Sequence, residues 1–222
     1  MRNSADLVCL LPAAAYNPQT VEEALQPGIP GFDVYCISKA LADLAVRDFK
    51  RAHPDLDLTT IHPSYVFGPV GTGQVYNSPG TGTNAFVYGL ISGPVGRPGG
   101  GYPATGVPPM NVDVRDVARA HVLALKAPPS PDAVKRFILS PNTFTWKEAV
   151  EFLAQARPEL KGRLPVITGK KPPVAPGSTC TFDTSASERI LGLKNYVKWQ
   201  DTILDTVDDM LRVEKELAVD AQ

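Results

Sequence analysis

A tyrosine and a lysine four residues apart are the side chains of this sequence best suited to acid/base chemistry. They enclose the segment Tyr35-Cys36-Ile37-Ser38-Lys39. An ammonium group beside a phenol favours the phenolate and lowers the tyrosine pKa, so such a tyrosine can act as a general acid or base near neutral pH. The same spacing also occurs where an exposed tyrosine merely packs on a lysine side chain. The motif alone therefore leaves both interpretations open.

The residues around this pair predict a helix that carries both side chains on one face. Apolar residues recur at helical spacing, which predicts an amphipathic helix with a separate apolar stripe at Val34, Ile37, Leu41, Leu44 and Ala45. Residues four apart are neighbours on a helix, so Tyr35 and Lys39 are expected side by side. His53-Pro54 is expected to end the helix near Ala52.

The next segment predicts a ligand-binding edge of a sheet. Residues 58–61 are β-branched and apolar, which predicts a strand. The strand is expected to run directly into a loop that spans Pro63 and Gly68-Pro69. In α/β proteins ligands bind where the carboxyl end of a strand opens into such a loop.

The rest of the chain alternates helices with short strands, which is typical of an α/β fold. Thr20 and Glu23 have the spacing of a capping box, as do Thr145 and Glu148, and Ser185 and Glu188. The other predicted elements are an apolar run at 7–11 that is either a buried strand or irregular chain, helices at 84–91 and 114–126 with Asp113 as the N-cap, a strand at 136–139, a helix to Ala156, a helix ending at Gly192, and a last helix at 201–218.

The composition narrows the possible functions. The chain has 222 residues, 43% of them hydrophobic, which suffices for one domain with a sizeable core. A net charge of −1 gives no nucleic-acid footprint, and no apolar run reaches the length that spans a membrane. Three widely spaced cysteines (Cys9, Cys36, Cys180) favour reduced thiols in the cytoplasm over disulfides or a metal site.

Three motifs in this order resemble a known family. They are the Tyr35 helix motif, IHPSYVFGP at 61–69, and NVDVRDVARAH at 111–121. Together they are similar to the second half of an extended short-chain dehydrogenase/reductase of the NAD-dependent epimerase/dehydratase superfamily. The most similar subgroup contains the dihydroflavonol reductases, cinnamoyl-CoA reductases and fungal ketone/aldehyde reductases. The segments FTW at 144–146 and FDTSASERILGL at 182–193 also resemble this subgroup.

The resemblance implies hydride transfer from NADP or NAD to a ketone or aldehyde. Tyr35 would donate the proton to the developing alkoxide, and Lys39 would lower the Tyr35 pKa and hold the nicotinamide ribose. The residues implied to pack on the nicotinamide are Pro63, Ser64, Tyr65 and Val66. His62 stands where the family often has asparagine, and we expect it to be structural. His121 is expected to be a helix residue that packs under the sheet, not a catalytic base. Asp113 and Arg115 are expected to serve as cap and scaffold.

The fold implied is a partial Rossmann-like, doubly wound parallel sheet with a mostly helical C-terminal substrate-binding region. Phe86, Tyr88 and Tyr102 are candidate walls of the substrate pocket, although ordinary core aromatics would look the same. The predicted organisation is an unassigned segment at 1–15, Rossmann-side elements at 16–69 and 110–126, and a substrate-binding region at 70–109 and 127–222.

The sequence departs from the family at the phosphate loop. The family has a glycine-rich turn between its first strand and first helix. Here Gly71–Gly73 and Gly99–Gly101 follow the Tyr35 helix and are not expected between a strand and a helix. The N-terminal nucleotide-binding half is therefore expected to be absent from this sequence, which leaves the adenosine and pyrophosphate without a visible site.

The family's catalytic serine or threonine is also expected to be absent. If 8–15 is the strand that carries it, leucine or proline occupies the position. Alternatively, residues 17–25 resemble the loop before the tyrosine helix, so the serine strand would precede Met1 and 1–15 would have no counterpart. In either alignment the chain carries two of the three catalytic residues.

Two functions remain open from the sequence. The first is an NAD(P)H-dependent carbonyl reductase whose chain is truncated before the dinucleotide loop. The alternative is a diverged half-domain without redox activity, which binds a small molecule or a partner chain, or performs acid/base chemistry without a cofactor. An incomplete sheet would expose a strand edge, so marginal stability or self-association is expected.

Overall fold

The computed structural model describes residues 10–11, 17–71, 73–74, 76–93, 110–166 and 181–220. The helices are α1 (Val21–Ala24), α2 (Gly31–Ala52), α3 (Asn84–Ile91), α4 (Val114–Ala124), α5 (Trp146–Ala156), α6 (Ser185–Leu191) and α7 (Trp199–Asp220). The strands are β1 (Leu10–Leu11), β2 (Thr59–Pro63), β3 (Tyr65–Phe67), β4 (Met110–Asp113), β5 (Lys135–Leu139), β6 (Asn142–Thr143) and β7 (Thr181–Phe182).

The strands pair mostly in parallel, as the sequence predicts for this α/β fold. β2 pairs with β5 from Thr59 opposite Lys135 to Pro63 opposite Leu139. β3 pairs in parallel with β4, and β4 pairs on its other side with β6, antiparallel. β1 and β7 form a separate parallel pair. The Ser64 amide donates to the Leu139 carbonyl oxygen at 2.9 Å, which carries the chain from the first ladder toward the second.

The loop predicted to start at Pro63 is corrected by this pairing. Residues Tyr65–Phe67 form β3, because β4 offers a second ladder of backbone partners immediately after β2 ends. The turn comes later, at Gly68, whose φ of 136° is a conformation that side chains with a Cβ rarely adopt.

The helix boundaries largely follow the predicted caps. Thr20 and Thr145 each form a complete capping box with the glutamate three residues later. Asp113 caps α4, and α6 ends at Gly192 in the left-handed conformation. The capping box predicted at Ser185 is wrong.

At the start of α6 the N-cap is Thr184, which makes no capping bond with its side chain. The Ser185 amide instead donates to Asp183 at 2.9 Å. The aspartate two residues earlier therefore satisfies the amide group that the predicted box would have used.

Two apolar clusters form the core. The first lies between β3 and helices α3, α5 and α7, and its fully buried members include Phe67, Val87, Leu153 and Val207. The second joins β4 and β5 to α4 and α6 through Val112, Phe137, Leu139 and Leu191. Within the described ranges, no helix is both long and apolar enough to cross a membrane.

Helix α2 packs on the rest of the fold through fewer apolar residues than its sequence predicts. Of the predicted apolar stripe, Ile37 is fully buried, whereas Val34, Leu44 and Ala45 are exposed. The other two buried residues of α2 are charged, namely Asp43 and Lys50. Polar contacts therefore hold much of this helix in place.

Candidate active site

The direction of α2 follows from its contacts with the loop and strand that succeed it. The Lys50 ammonium donates to the carbonyl oxygens of Pro54 and Leu56, just before β2 begins. The Asp43 carboxylate lies 3.4 Å from His62 Nε2, near the end of β2. The helix therefore runs antiparallel to β2, and its first turns lie toward the carboxyl end of that strand.

This arrangement brings two tyrosines to the same edge of the sheet. Tyr35 precedes Asp43 by eight residues, or about 12 Å of helix. Tyr65 follows His62 by three residues, or about 10 Å of extended chain. Since Asp43 and His62 are in contact, Tyr35 and Tyr65 both lie beyond the carboxyl end of β2. Ligands bind at this edge of open α/β sheets.

Tyr35 and Lys39 are neighbours on the exposed face of α2. The Lys39 ammonium nitrogen lies 5.6 Å from the centre of the Tyr35 ring, and the Tyr35 side of the helix is open to solvent, with 55% of the residue exposed. Phe32 stacks on the same ring, with centroids 6.1 Å apart. The pair can thus meet a bound molecule from the solvent side.

The four residues expected to contact the nicotinamide differ in their accessibility. Pro63 is exposed at the end of β2. The Ser64 hydroxyl donates to the Leu139 carbonyl oxygen at 3.3 Å and so faces β5. Tyr65 and Val66 lie in β3, and the Val66 carbonyl oxygen accepts a hydrogen bond from Thr83. Pro63 is thus exposed, whereas the other three residues are half-buried.

Tyr65 and Phe86 form an aromatic wall beside the Tyr35 helix. Their rings meet edge to face at 5.8 Å. Burial raises the pKa of Tyr65, and Cys36 and Tyr35 raise it further, so the phenol lies within electrostatic reach of α2. Burial, with a smaller contribution from Asp33, also raises the pKa of the Cys36 thiol. Both groups are therefore neutral at neutral pH.

Tyr88 belongs to a different environment from Phe86. Its hydroxyl donates to Glu214 at 2.6 Å, and burial followed by this hydrogen bond raises the pKa of Tyr88 to about 12. Arg163 donates to both oxygens of the same carboxylate. The structure thus brings Phe86, but not the hydroxyl of Tyr88, to Tyr65. Tyr102 lies outside the described residues.

His121 was expected to pack under the sheet, and this is wrong because α4 presents it to solvent. Its Nδ1 atom lies 2.8 Å from the Val117 carbonyl oxygen. Asp113 is confirmed as a cap and scaffold residue: its buried carboxylate accepts hydrogen bonds from Arg115 and Thr202. His62 lies in β2, with Nε2 2.8 Å from the Thr60 hydroxyl.

The glycine pair at 71 and 73 lies between a strand and a helix, contrary to expectation. It occurs in the long connection from β3 to α3, at residues 68–83, and not in a tight turn. In the part of the chain that the structure describes, no cluster of histidine, cysteine or carboxylate side chains could hold a metal ion.

Sequence reasoning missed Asp43 and Arg136. The Asp43 residue is 8% exposed, and its carboxylate lies 3.0 Å from Arg136 Nη2. This ion pair connects α2 with β5. An aspartate in an amphipathic helix is normally a surface residue, so composition gives no warning of its burial. The available signal is spacing, because Asp43 continues the series of Tyr35 and Lys39 at four-residue steps.

Comparison with known proteins finds similar sequences and similar folds. No protein-family model matches the chain. It is 30% identical over 209 residues to the NADPH-dependent methylglyoxal reductase GRE2 of Saccharomyces cerevisiae, which is 90% of this chain and 56% of that protein. It is 33% identical over 198 residues to the ketoreductase azaE of Aspergillus niger, covering 89% of this chain and 55% of the relative.

Solved structures of similar proteins have the same fold. Gre2 from Candida albicans superposes with a TM-score of 0.71 at 25% identity, over 92% of this chain and 59% of that one. The yeast methylglyoxal/isovaleraldehyde reductase Gre2 complexed with NADPH gives 0.68 at 28% identity, over 93% and 58%.

The chain has the Rossmann-like α/β fold of these solved reductases. Its relatives include fungal NADPH-dependent reductases of the extended short-chain dehydrogenase/reductase superfamily. The chain spans about half the length of the curated relatives it matches, for example 56% of GRE2.

Proposed function

We propose that this chain carries the proton-donating and substrate-binding part of an NADPH-dependent reductase of ketones and aldehydes. The supporting observation is the adjacency of Tyr35 and Lys39 at the carboxyl end of β2, beside Tyr65. In homologous NADPH-dependent reductases the reaction class is reduction of a small carbonyl compound, as the name methylglyoxal reductase states.

The roles follow from the chemistry of the two side chains. Tyr35 donates its phenolic proton to the substrate oxygen as the carbonyl becomes an alkoxide. Lys39 favours the resulting phenolate through its positive charge and is free to bind ribose hydroxyls from the exposed side. NADPH, when bound, supplies the hydride to the carbonyl carbon. The exposed Lys39 ammonium and the exposed end of β2 at Pro63 fit a nicotinamide riboside.

The substrate is proposed to be a small carbonyl compound with an apolar substituent. Tyr65 and Phe86 provide an aromatic wall on one side of Tyr35, and their edge-to-face packing leaves little room for rearrangement. The yeast Gre2 is a methylglyoxal/isovaleraldehyde reductase, so two small carbonyl compounds are substrates of that protein. Phe86 is therefore retained in the proposed pocket, and Tyr88 and Tyr102 are proposed as more distant parts of the same region.

Oxidation of NADPH in the presence of methylglyoxal, isovaleraldehyde and simple ketones tests the proposal. We expect Tyr35→Phe to lower kcat by roughly 10²- to 10⁴-fold, the range of general acid catalysis, and to leave the fold intact. Tyr196→Phe removes a phenolic hydroxyl from the second apolar cluster and serves as the matched control. Equal activity in the parent and Tyr35→Phe would refute the assigned role.

Two further expectations from the sequence remain proposals. We place the protein in the cytoplasm, because its cysteine spacing favours reduced thiols, and Cys36 is a free thiol in the structure. We also propose that chains associate through strand edges. β2 pairs with β5 along one edge, and no other strand of the described ranges pairs with it.

A further inference from the structure

A buried carboxylate holds the helix of Tyr35 against the sheet. The Asp43 side chain is 8% exposed, and its oxygens lie 3.0 Å from Arg136 Nη2 and 3.4 Å from His62 Nε2. Arg136 is itself 13% exposed. Burying an ionised carboxylate is unfavourable unless a close partner offsets the lost hydration, so this pair cannot separate without a large cost.

The location of this carboxylate on α2 gives it control over the candidate active site. Tyr35, Lys39 and Asp43 follow one another at four-residue steps, so they form one stripe along the helix. A contact that fixes Asp43 therefore fixes both the rotation of α2 about its axis and its position along β2. Those two quantities decide where Tyr35 and Lys39 lie beyond the strand end.

The apolar contacts of α2 do little to fix its rotation or its position along β2. Ile37 is the one fully buried apolar residue of the helix, and the Lys50 ammonium fixes the opposite end to the loop before β2. Val34 and Leu44 are exposed and do not lock the rotation of the helix. The ion pair of Asp43 with Arg136 lies between Lys50 and Tyr35 along α2 and joins the helix to β5.

We propose that Asp43, through its ion pair with Arg136 of β5, is the positioning residue that sets Tyr35 and Lys39 in register with the carboxyl end of β2. The inference rests on the proposed role of Tyr35 in carbonyl reduction. Asp43 itself contacts neither substrate nor cofactor in this account. A rotation or slide of α2 by about 1 Å is enough to cost roughly 100-fold in rate, because proton transfer requires close alignment.

Three variants separate positioning from simple stabilisation. Asp43→Asn keeps the shape but leaves the Arg136 charge buried without its carboxylate. The double variant Asp43→Asn with Arg136→Met removes both charges, so it is expected to regain stability that the single variant loses. Asp48→Asn removes an exposed carboxylate from the same helix and is the matched control.

We expect Asp43→Asn to lower kcat by about tenfold or more while the KM for NADPH changes little, because the geometry of proton donation is lost before binding is. The double variant is expected to regain its free energy of unfolding in urea but not its kcat. Recovery of both quantities, or an unchanged kcat in Asp43→Asn, would show that the pair only stabilises the fold.

Hydrogen exchange supplies a readout that does not require turnover. In Asp43→Asn the amides of residues 31–42 are expected to exchange at least about tenfold faster, while those of β4 and α5 keep the rates of the parent. Equal exchange in the first turns of α2 would overturn the inference. If Asp43→Asn shows this difference in exchange from the parent, but the parent reduces no carbonyl compound, the proposed function is refuted and the positioning role of Asp43 stands.

Discussion

The phenol of Tyr35 and the ammonium of Lys39 meet at the surface of α2, and the groups behind them are more deeply buried. Tyr65 and Cys36 are half-buried and neutral, whereas Asp43, one helical turn beyond Lys39, forms a buried ion pair with Arg136 of β5. The candidate site therefore consists of an accessible phenol backed by a buried ion pair. This division suits a reaction in which a cofactor and a substrate must both approach Tyr35.

His62 is expected to make the stability of the fold depend on pH. Burial, and then the positive charge of Arg136, lower the pKa of His62, while the Asp43 charge opposes them and Arg47 reinforces them. The folded chain therefore takes up this proton less readily than the unfolded chain. The contribution of neutral His62 is present above about pH 6.5 and is lost as the pH falls from there toward the pKa in the folded state.

Urea unfolding of the parent and His62→Gln measured between pH 8 and pH 5 checks this prediction. The free energy of unfolding of the parent should fall more steeply below about pH 6.5 than that of the variant. The exposed His121 provides the control, since His121→Gln should keep the pH dependence of the parent. A parent and His62→Gln with parallel pH profiles would contradict the assignment.

The helices of this chain begin where local side chains satisfy their first amide groups. Thr145 accepts from the Glu148 amide at 3.2 Å, and Glu148 accepts from the Thr145 amide at 2.6 Å. Helix α6 lacks such a pair, although its sequence offers Ser185 and Glu188 at the required spacing. At α6 the amide group of Ser185 instead donates to Asp183, two residues earlier, so the capping box does not form.

Replacement of Thr145 by alanine is expected to lower the free energy of unfolding by about 1 kcal/mol, the usual contribution of an N-cap side chain. Helix α5 supplies Trp146, Val150 and Leu153 to the first apolar cluster, so loosening its first turn affects the whole core. Thr184→Ala is the control, because Thr184 makes no capping bond. A loss of similar size in both variants would exclude the capping explanation.

Local patterns in the sequence predicted the helices and their ends better than they predicted strand pairing and burial. The helical spacing around Tyr35, the caps at Thr20, Asp113 and Thr145, and the end of α6 at Gly192 are all confirmed. These depend on neighbours within a few residues. β3 and the burial of Asp43 depend on partners far along the chain, Asn111–Asp113 and Arg136. The local spacing therefore gives the position of Asp43 on α2, but it reveals neither the burial of Asp43 nor the strand β3.

At the scale of the whole molecule, long-range polar contacts tie the C-terminal helix to the rest of the fold. Glu214 of α7 accepts hydrogen bonds from Tyr88 of α3 and from Arg163, while Thr202 donates to the buried Asp113. Helix α3 and strand β4 are thereby joined through α7. The predicted domain boundaries stay a prediction. They assign residues 127–222 to the substrate-binding region, yet β5 of that range pairs with β2 of the Rossmann-side range.

Self-association of the chain is expected because β2 offers an edge with no strand partner among the described residues. Light scattering at increasing protein concentration should show a rising mean mass, and unfolding should become more resistant to urea at higher concentration. A single monomer mass at all concentrations, together with one sharp cooperative unfolding transition, would contradict the expectation.

Titration of the 222-residue chain with NADPH, followed by nucleotide fluorescence, tests whether the chain holds the cofactor through Lys39. We expect saturable binding that Lys39→Ala weakens by about tenfold, as expected for a charged hydrogen bond worth roughly 1.5 kcal/mol. Lys194→Ala, another exposed lysine far along the chain, should bind as the parent does. No saturable binding, or equal affinity in the parent and Lys39→Ala, would contradict the assignment of this chain to NADPH-dependent carbonyl reduction.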